Sequence, residues 1–446
     1  MDRERAQVYP FISRPGSNPL VIERTEGVWL ITPDGRKILD SSGGAIVVNV
    51  GHGRREVAEA YARAAAEVAY LVPPFVTESR VRLVERLRRA WLPPEITRAV
   101  FTSGGSESMD AAIRLARQHH LSAGRPSRWK VIGRQLSYHG ATLATLALGG
   151  HEKRRAPFGP WLGEVAKAPA CFCLRCPLEQ RYPSCNVACA SDLERLIAAE
   201  GADTIAAFAA EPVGGSTAGA LDPVDEYWPA IAEICRRHGI LLIADEVMTG
   251  FGRTGKRFAV EHWSVTPDIL VGGKGLTGGY APMGGIFARE EVVEPIAARG
   301  DDLMFFTYGA HPASCAAADA VLDILERENL VARAAEMGAL LKRKLIERLG
   351  SHPQVAEVRG RGLLLGVELV KDRQTLEPFP KSANLTNKIV AAGVALGTFF
   401  YPGGCDPAPD VLNIGPPFIL GPEHVEQITD HLARALDSAL ERIGAL

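Results

Sequence analysis

Between Ile240 and Ile286 the chain reads ILLIADEVMTGFGRTGKRFAVEHWSVTPDILVGGKGLTGGYAPMGGI. Two apolar runs within it, Ile240 to Ala244 and Asp268 to Gly272, are short and continuous enough to be buried strands. The first ends at Asp245 and the second, one Gly pair later, at Lys274. In an open α/β fold the carboxyl ends of parallel strands face the crevice where ligands bind. One acid and one amine are therefore presented to the same crevice.

A lysine flanked by glycines at a strand end can be desolvated, which lowers its pKa and frees its lone pair to attack a carbonyl. That is Schiff-base chemistry. A buried carboxylate is costly unless paired, and the protonated ring nitrogen of a bound cofactor offsets that cost. Pyridoxal phosphate calls for both residues. The plainer reading makes Asp245 a helix cap and Lys274 a loop lysine. The surrounding words decide against it. DEVMTGFGRTG followed by PDILVGGKGLTGGYAPMGG resembles the signature of the class III, or omega, aminotransferases of fold type I. The resemblance implies that Lys274 forms the internal aldimine and that Asp245 pairs with the pyridine nitrogen. It implies an α/β fold: a mainly parallel sheet with helices on both faces, and a small α+β domain drawn from both termini.

With 446 residues the chain suits one large domain and a smaller one. The expected division is residues 1–60 and 326–446 for the small domain and 61–325 for the large one. Fifty basic residues against fifty-two acidic ones leave a formal charge of −2. There is no electrostatic case for nucleic acid or an anionic membrane as a partner. The start, MDRERAQVYP, lacks the apolar core of a signal peptide, and no apolar run is long enough to span a bilayer. A cytoplasmic location is expected. Of the 8 cysteines, five crowd between Cys171 and Cys189. In a long chain without a secretion signal these are not a disulfide framework. The crowded segment also lacks the paired Cys-x-x-Cys repeat of structural zinc sites and contains no histidine, so no metal is expected and a variable loop is.

In chain order, Val28 to Asp40 reads as a hairpin around Pro33-Asp34-Gly35, and helices are expected at Arg54 to Tyr70 and Glu78 to Trp91, the latter with Val81, Val84, Leu87 and Trp91 at helical spacing. A strand at Ala99 to Thr102 leads into SGGSES, which opens a helix whose amino-terminal glycines let backbone N–H groups approach an anion. In the family the equivalent turn holds the cofactor phosphate, which points to Gly105 and Ser106. A strand at Lys130 to Gly133 precedes SYHGAT. The YHG triplet resembles the family's cofactor-stacking aromatic, so Tyr138 is assigned to one ring face, with His139 beside it in a cofactor-binding or a structural role. Ile205 to Ala210 is a buried-type strand ending at Glu211, at the same sheet edge as Asp245 and Lys274; the resemblance places this glutamate by the cofactor ring. Helical patterns fill Asp192 to Glu200, Tyr227 to His238, and Ala320 to Leu349 with a break near Glu328-Asn329. The residue two after the acid, Val247, packs under the ring in the family, and Met248 tunes the substrate side. FFTYGAHPASCAAA resembles the family segment that reaches into a neighbouring subunit, where Thr307 binds the partner's cofactor phosphate. The resemblance implies a homodimer with shared active sites, open to further pairing into a tetramer.

One family feature is missing. Many relatives hold a substrate carboxylate with an arginine in the small-domain stretch before a Pro-Pro pair, yet no arginine occurs from Leu396 to Leu420. A bidentate clamp is absent from that place. Either the donor lacks an alpha-carboxylate or another arginine does the work; the first is preferred, with Phe75, Phe399, Phe400 and Tyr401 lining a pocket or simply packing. The reaction expected is transfer of an amino group from an amine or omega-amino donor to a keto acid, pyruvate, in two half-reactions. The rivals are an aminomutase or epimerase on the same scaffold and a metal-linked binding protein built on the cysteine cluster.

Overall fold

The computed structural model describes residues 20–72, 75–301 and 304–444; the charged amino-terminal segment Met1 to Pro10 lies outside them. The chain enters with β1 (Arg24–Glu26), β2 (Trp29–Ile31) and β3 (Lys37–Asp40), and β2 and β3 form the expected hairpin. Gly35 turns it with φ 82°, a left-handed conformation that glycine adopts without steric cost.

The large sheet comprises β4 (Ile96–Thr102), β5 (Lys130–Arg134), β6 (Lys167–Ala168), β7 (Ile205–Ala210), β8 (Leu241–Asp245), β9 (Ile269–Gly272) and β10 (Gly284–Arg289). Their order across the sheet is β4-β10-β9-β8-β7-β5-β6. Only β10 runs antiparallel to its neighbours. This is the mainly parallel sheet the apolar runs called for. Successive strand residues point to opposite faces, and both faces are covered. Ala207, Ala209, Ile243, Ile269, Val271 and Ile286 pack with Met109, Ala112 and Leu115 of the helix Gly105–Ser122 and Ile296 of the helix Glu290–Arg299. On the other side Phe208, Ala210 and Leu242 meet Leu193 and Ile197 of the helix Ala188–Glu200, and Trp228 and Ile231 of the helix Tyr227–His238. Each large side chain so buried contributes roughly 1.5–3 kcal/mol, which holds the sheet edge at β7, β8 and β9 in a fixed register.

After the helices Pro312–Arg327 and Leu330–Leu349 come β11 (Val355–Arg361), β12 (Leu364–Leu369), β13 (Thr398–Phe399), β14 (Tyr401–Cys405) and β15 (Ala408–Ile414). Four of them form an antiparallel sheet ordered β11-β12-β15-β14, while β13 pairs in parallel with β3. Chain near the carboxyl end is thus hydrogen-bonded to the first hairpin.

Two helical expectations need correction. The helix begun at Glu78 buries Leu83, Leu87 and Trp91, whereas Val81 is 42% exposed. It is α-helical only to Arg86 and widens into a π-turn from Leu87 to Trp91, which lets the Trp91 indole donate to Glu326 Oε1 at 2.8 Å. The long helical stretch starts earlier than Ala320, at Pro312, and breaks where expected, at Asn329 with φ 50°. Among the described residues no helix is long and apolar enough to cross a membrane.

Candidate active site

Strand register builds the site. Ala210, Ala244 and Leu270 are consecutive neighbours across β7, β8 and β9, so the residues that follow, Glu211 and Asp245, leave the sheet side by side, and Asp245 is paired with Val271. Lys274 follows three positions later, in the short helical turn Lys274–Leu276. Its φ of 38° is left-handed, a strain of roughly 1 kcal/mol for a side chain with a Cβ. Buried Leu276 anchors that turn.

Asp245, Glu211 and His139 are 3%, 4% and 3% exposed, so charge here is poorly solvated and must be satisfied by protein. His139 Nδ1 donates to Asp245 Oδ2 at 2.7 Å, since an ionised carboxylate can only accept. The other Asp245 oxygen accepts from the Val247 N–H at 3.1 Å. Glu211 accepts from the N–H groups of Tyr138 at 3.1 Å and Gly215 at 2.9 Å. Burial pushes the Glu211 carboxyl above the usual range, with the His139 ring opposing it and Asp245 adding to it. Burial likewise lowers the Lys274 ammonium to about 8, against the opposing pull of Asp245 and Glu211. The shift brings the amine's titration towards neutral pH, and its unprotonated form is able to act as a nucleophile.

Opposite the acids the helix Gly105–Ser122 starts at Gly104, which offers no side chain to cap it. Its positive end suits an anion. Gly105 is required by contact rather than by φ: a Cβ there would lie 2.8 Å from Val247 Cγ1. Val247 also approaches Gly273, where a Cβ would sit at 3.3 Å, so Gly105, Val247 and Gly273 form one floor beside Lys274. Ser106 Oγ accepts from the Ala141 N–H at 3.1 Å. That ties the helix start to the loop carrying Tyr138 and His139.

The fold therefore gathers Gly105, Ser106, Tyr138, His139, Glu211, Asp245, Val247 and Lys274 at one sheet edge. Thr307 is not among them. It lies on an exposed turn. Of the four aromatics named as possible pocket walls, Phe400 is wholly buried in the main core and is packing, while Phe75 is 62% exposed. Met248 does reach the site: a Cβ on Gly215 would meet its sulfur at 2.6 Å and Glu211 Oε1 at 2.9 Å. Two contributors escaped the sequence reading. Gly140, with φ 143°, has no room for a Cβ because Ser106 Oγ would be 2.7 Å away; its place in the YHG triplet was the available signal. Arg154 stacks its guanidinium over the Tyr138 ring at 4.4 Å, and nothing in the EKRR run distinguishes it from a solvated charge. All eight cysteines are free thiols, and among the described residues no three His, Cys, Asp or Glu side chains are grouped to hold a metal ion.

The chain is similar to known proteins over nearly its whole length. The family model described as aminotransferase class-III matches residues 11–436. The chain is a class III aminotransferase. The aminotransferase is 34% identical to putrescine–pyruvate aminotransferase of Pseudomonas aeruginosa over 95% of this chain and 92% of that protein. A thermostable (S)-enantioselective omega-transaminase from Thermomicrobium roseum superposes on it with a TM-score of 0.91 at 38% identity, covering 97% of this chain and 96% of that one. An amine transaminase from an uncultivated Pseudomonas species, solved in its PLP-bound internal aldimine form, gives 0.89 at 34% identity over 97% and 98% of the two chains.

Class III aminotransferases are pyridoxal phosphate enzymes, and the residues of this aminotransferase fit that group on physical grounds. A half-buried amine with a lowered pKa suits an aldehyde. An uncapped helix start suits a phosphate. A carboxylate buried to 3% exposure and held by a histidine suits a protonated ring nitrogen.

Proposed function

We propose that this aminotransferase is of the omega type, moving an amino group from an amine or omega-amino donor to a keto acid, pyruvate, in two half-reactions at one site. The observation that carries the reading is the half-buried amine of Lys274, lowered to about 8 beside two buried carboxylates. Pyridoxal phosphate, when bound, supplies an electron sink for the carbanion formed at the substrate carbon.

The chain's own residues supply the rest. Lys274 Nζ holds the cofactor at rest. Released by an incoming amine, Lys274 Nζ would serve as the base that takes the proton from the substrate carbon and hands it on within the site, a role suited to an amine lowered to about 8. Asp245, oriented by His139, keeps the ring nitrogen protonated. Gly105 and Ser106 would receive the phosphate, Tyr138 and Val247 would cover the two ring faces, and Glu211 would stand beside the ring and the substrate. The missing arginine between Leu396 and Leu420 supports a donor without an alpha-carboxylate.

The active unit in this reading is a homodimer in which the partner subunit's Thr307 completes the phosphate site. Support comes from exposed aromatic residues near that segment: Tyr70, Phe75, Phe305 and Tyr308 are 45%, 62%, 58% and 63% exposed. The rings of Tyr70 and Tyr308 meet at 6.4 Å. Such side chains are costly to leave in water together.

The visible absorption of the pyridoxal phosphate-loaded protein tests the reading. A band that an amine bleaches and pyruvate restores, absent from Lys274→Ala, is expected. A wild-type protein that never develops the band, or whose band an amine leaves untouched, refutes it.

A further inference from the structure

A keto acid is an anion, and a site that turns it over needs a cation near Lys274. Two guanidinium groups act electrostatically on the Lys274 amine, those of Arg253 and Arg154. Arg253 is 2% exposed and fully engaged: its Nη1 donates to the carbonyls of Leu363, Gly415 and Pro416 at 3.2, 2.9 and 2.7 Å, and its Nη2 to Val48 at 2.8 Å. It ties loops together and has little left for a ligand.

Arg154 differs in each respect. It belongs to the short helix Glu152–Arg155, whose other members are committed elsewhere. Arg155 pairs with Glu152 at 3.4 Å, and the charge of Lys153 acts on the half-buried Asp410. Arg154 is exposed and makes no ion pair or side-chain hydrogen bond to any described residue. Its guanidinium carbon lies over Tyr138, 4.4 Å from the ring centroid, while the Tyr138 backbone is anchored on Glu211 at 3.1 Å. This cation–π contact holds the guanidinium over the ring without using its N–H groups, so its donors stay free. A planar fork held in this way is the geometry that takes a carboxylate with two parallel hydrogen bonds. Tyr138 is thereby a platform for the cation as well as a wall of the site.

We propose that Arg154 binds the carboxylate of the acceptor keto acid, the task left open by the absence of any arginine from Leu396 to Leu420. This rests on the aminotransferase reading above. It assigns a substrate-binding residue to the second half-reaction, while a neutral amine donor in the first does not need it.

The test uses the pyridoxal phosphate-loaded wild type, Arg154→Gln and Arg154→Lys, at constant ionic strength. Each is titrated with propanoate, an acid of pyruvate's size that has no carbonyl to react, and binding is read as a shift of the visible band. Arg154→Gln should bind propanoate at least about tenfold more weakly, the loss of a charge-assisted contact. Its KM for pyruvate should rise by a similar factor while kcat changes by less than about threefold, and Arg154→Lys should recover part of the loss. Unchanged propanoate binding in Arg154→Gln overturns the proposal and leaves the aminotransferase reading standing. Cofactor lost from Arg154→Gln at concentrations where the wild type retains it also overturns it, since the cation then serves the phosphate. A wild type without the band, or whose band an amine does not bleach, removes both.

Discussion

Replacing Lys274 by methionine should stabilise the cofactor-free protein while abolishing its chemistry. Burial takes the Lys274 ammonium from an ordinary 10.5 to about 8, with Asp245 and Glu211 already pulling the other way. At 1.36 kcal/mol per pH unit, the ammonium form weakens the folded state near neutral pH by at most about 3 kcal/mol. The figure is a ceiling because the side chain is only half-buried, and water in the crevice screens part of the effect. Methionine is unbranched, of similar length and uncharged, so it fills the same space without that cost. The left-handed φ of 38° is borne by both residues and cancels. A gain of about 2 kcal/mol is therefore expected near neutral pH. The folded-state pKa lies below the unfolded one, so between about 8 and 10.5 the unfolded chain binds more protons and wild-type stability rises with pH. The advantage of Lys274→Met should narrow by about 1 kcal/mol from about pH 7 to about pH 9. Urea unfolding of the two cofactor-free proteins, at one fixed protein concentration because assembly contributes to stability, measures both quantities. A variant no more stable than wild type at neutral pH, or an advantage that does not shrink on raising the pH, would refute the reasoning.

Other perturbations separate the parts of the site. Gly105→Ala puts a Cβ 2.8 Å from Val247 Cγ1; overpacking of roughly 1–3 kcal/mol should weaken pyridoxal phosphate retention tenfold or more, read by fluorescence titration, with circular dichroism unchanged. Asp245→Asn removes the charge that most supports the Lys274 ammonium, so the pH midpoint for reaction of the amine should fall and kcat should drop on the order of a hundredfold; a midpoint that rises contradicts the electrostatics. Tyr308→Asp, which places a charge beside Tyr70 at the exposed aromatic surface, should yield monomers by light scattering and a protein that loses its cofactor, whereas an undisturbed dimer or tetramer would move the interface elsewhere. Treatment with a chelator should leave the visible band and turnover intact, and stoichiometric zinc in the untreated protein would return attention to Cys171 to Cys189.

The sheet edge was legible because it is written locally. A buried strand announces itself by an unbroken apolar run, and the residue at its end must emerge at the sheet edge; Glu211, Asp245 and Lys274 were readable in this way, as were the glycines that open the helix at Gly105. The amino-terminal hairpin and the break at Asn329 are likewise products of a few neighbouring residues. Chain contacts set over long separations were not legible. His139 and Asp245 are 106 positions apart and meet at 2.7 Å only because β5 and β8 flank β7 in one sheet. No periodicity encodes that encounter. The same holds for Trp91, whose burial follows from a widened turn that brings its N–H to Glu326, and for Phe400, which the sequence left open between pocket wall and packing and which is core.

Arg154 marks the boundary between the two kinds of information. Within EKRR all three cations look alike, since charge and spacing are the same for a solvated face as for a ligand site. Packing distinguishes the two arginines, by giving Arg155 to Glu152 and by setting Arg154 over Tyr138. Sequence alone determined the strands, the sheet-edge lysine and acids and the family, because short-range sterics and burial patterns suffice for them. Only the tertiary structure decided the hydrogen-bond partners, the strain at Lys274 and the stacked arginine, because these depend on register and close packing between segments that share no local signal.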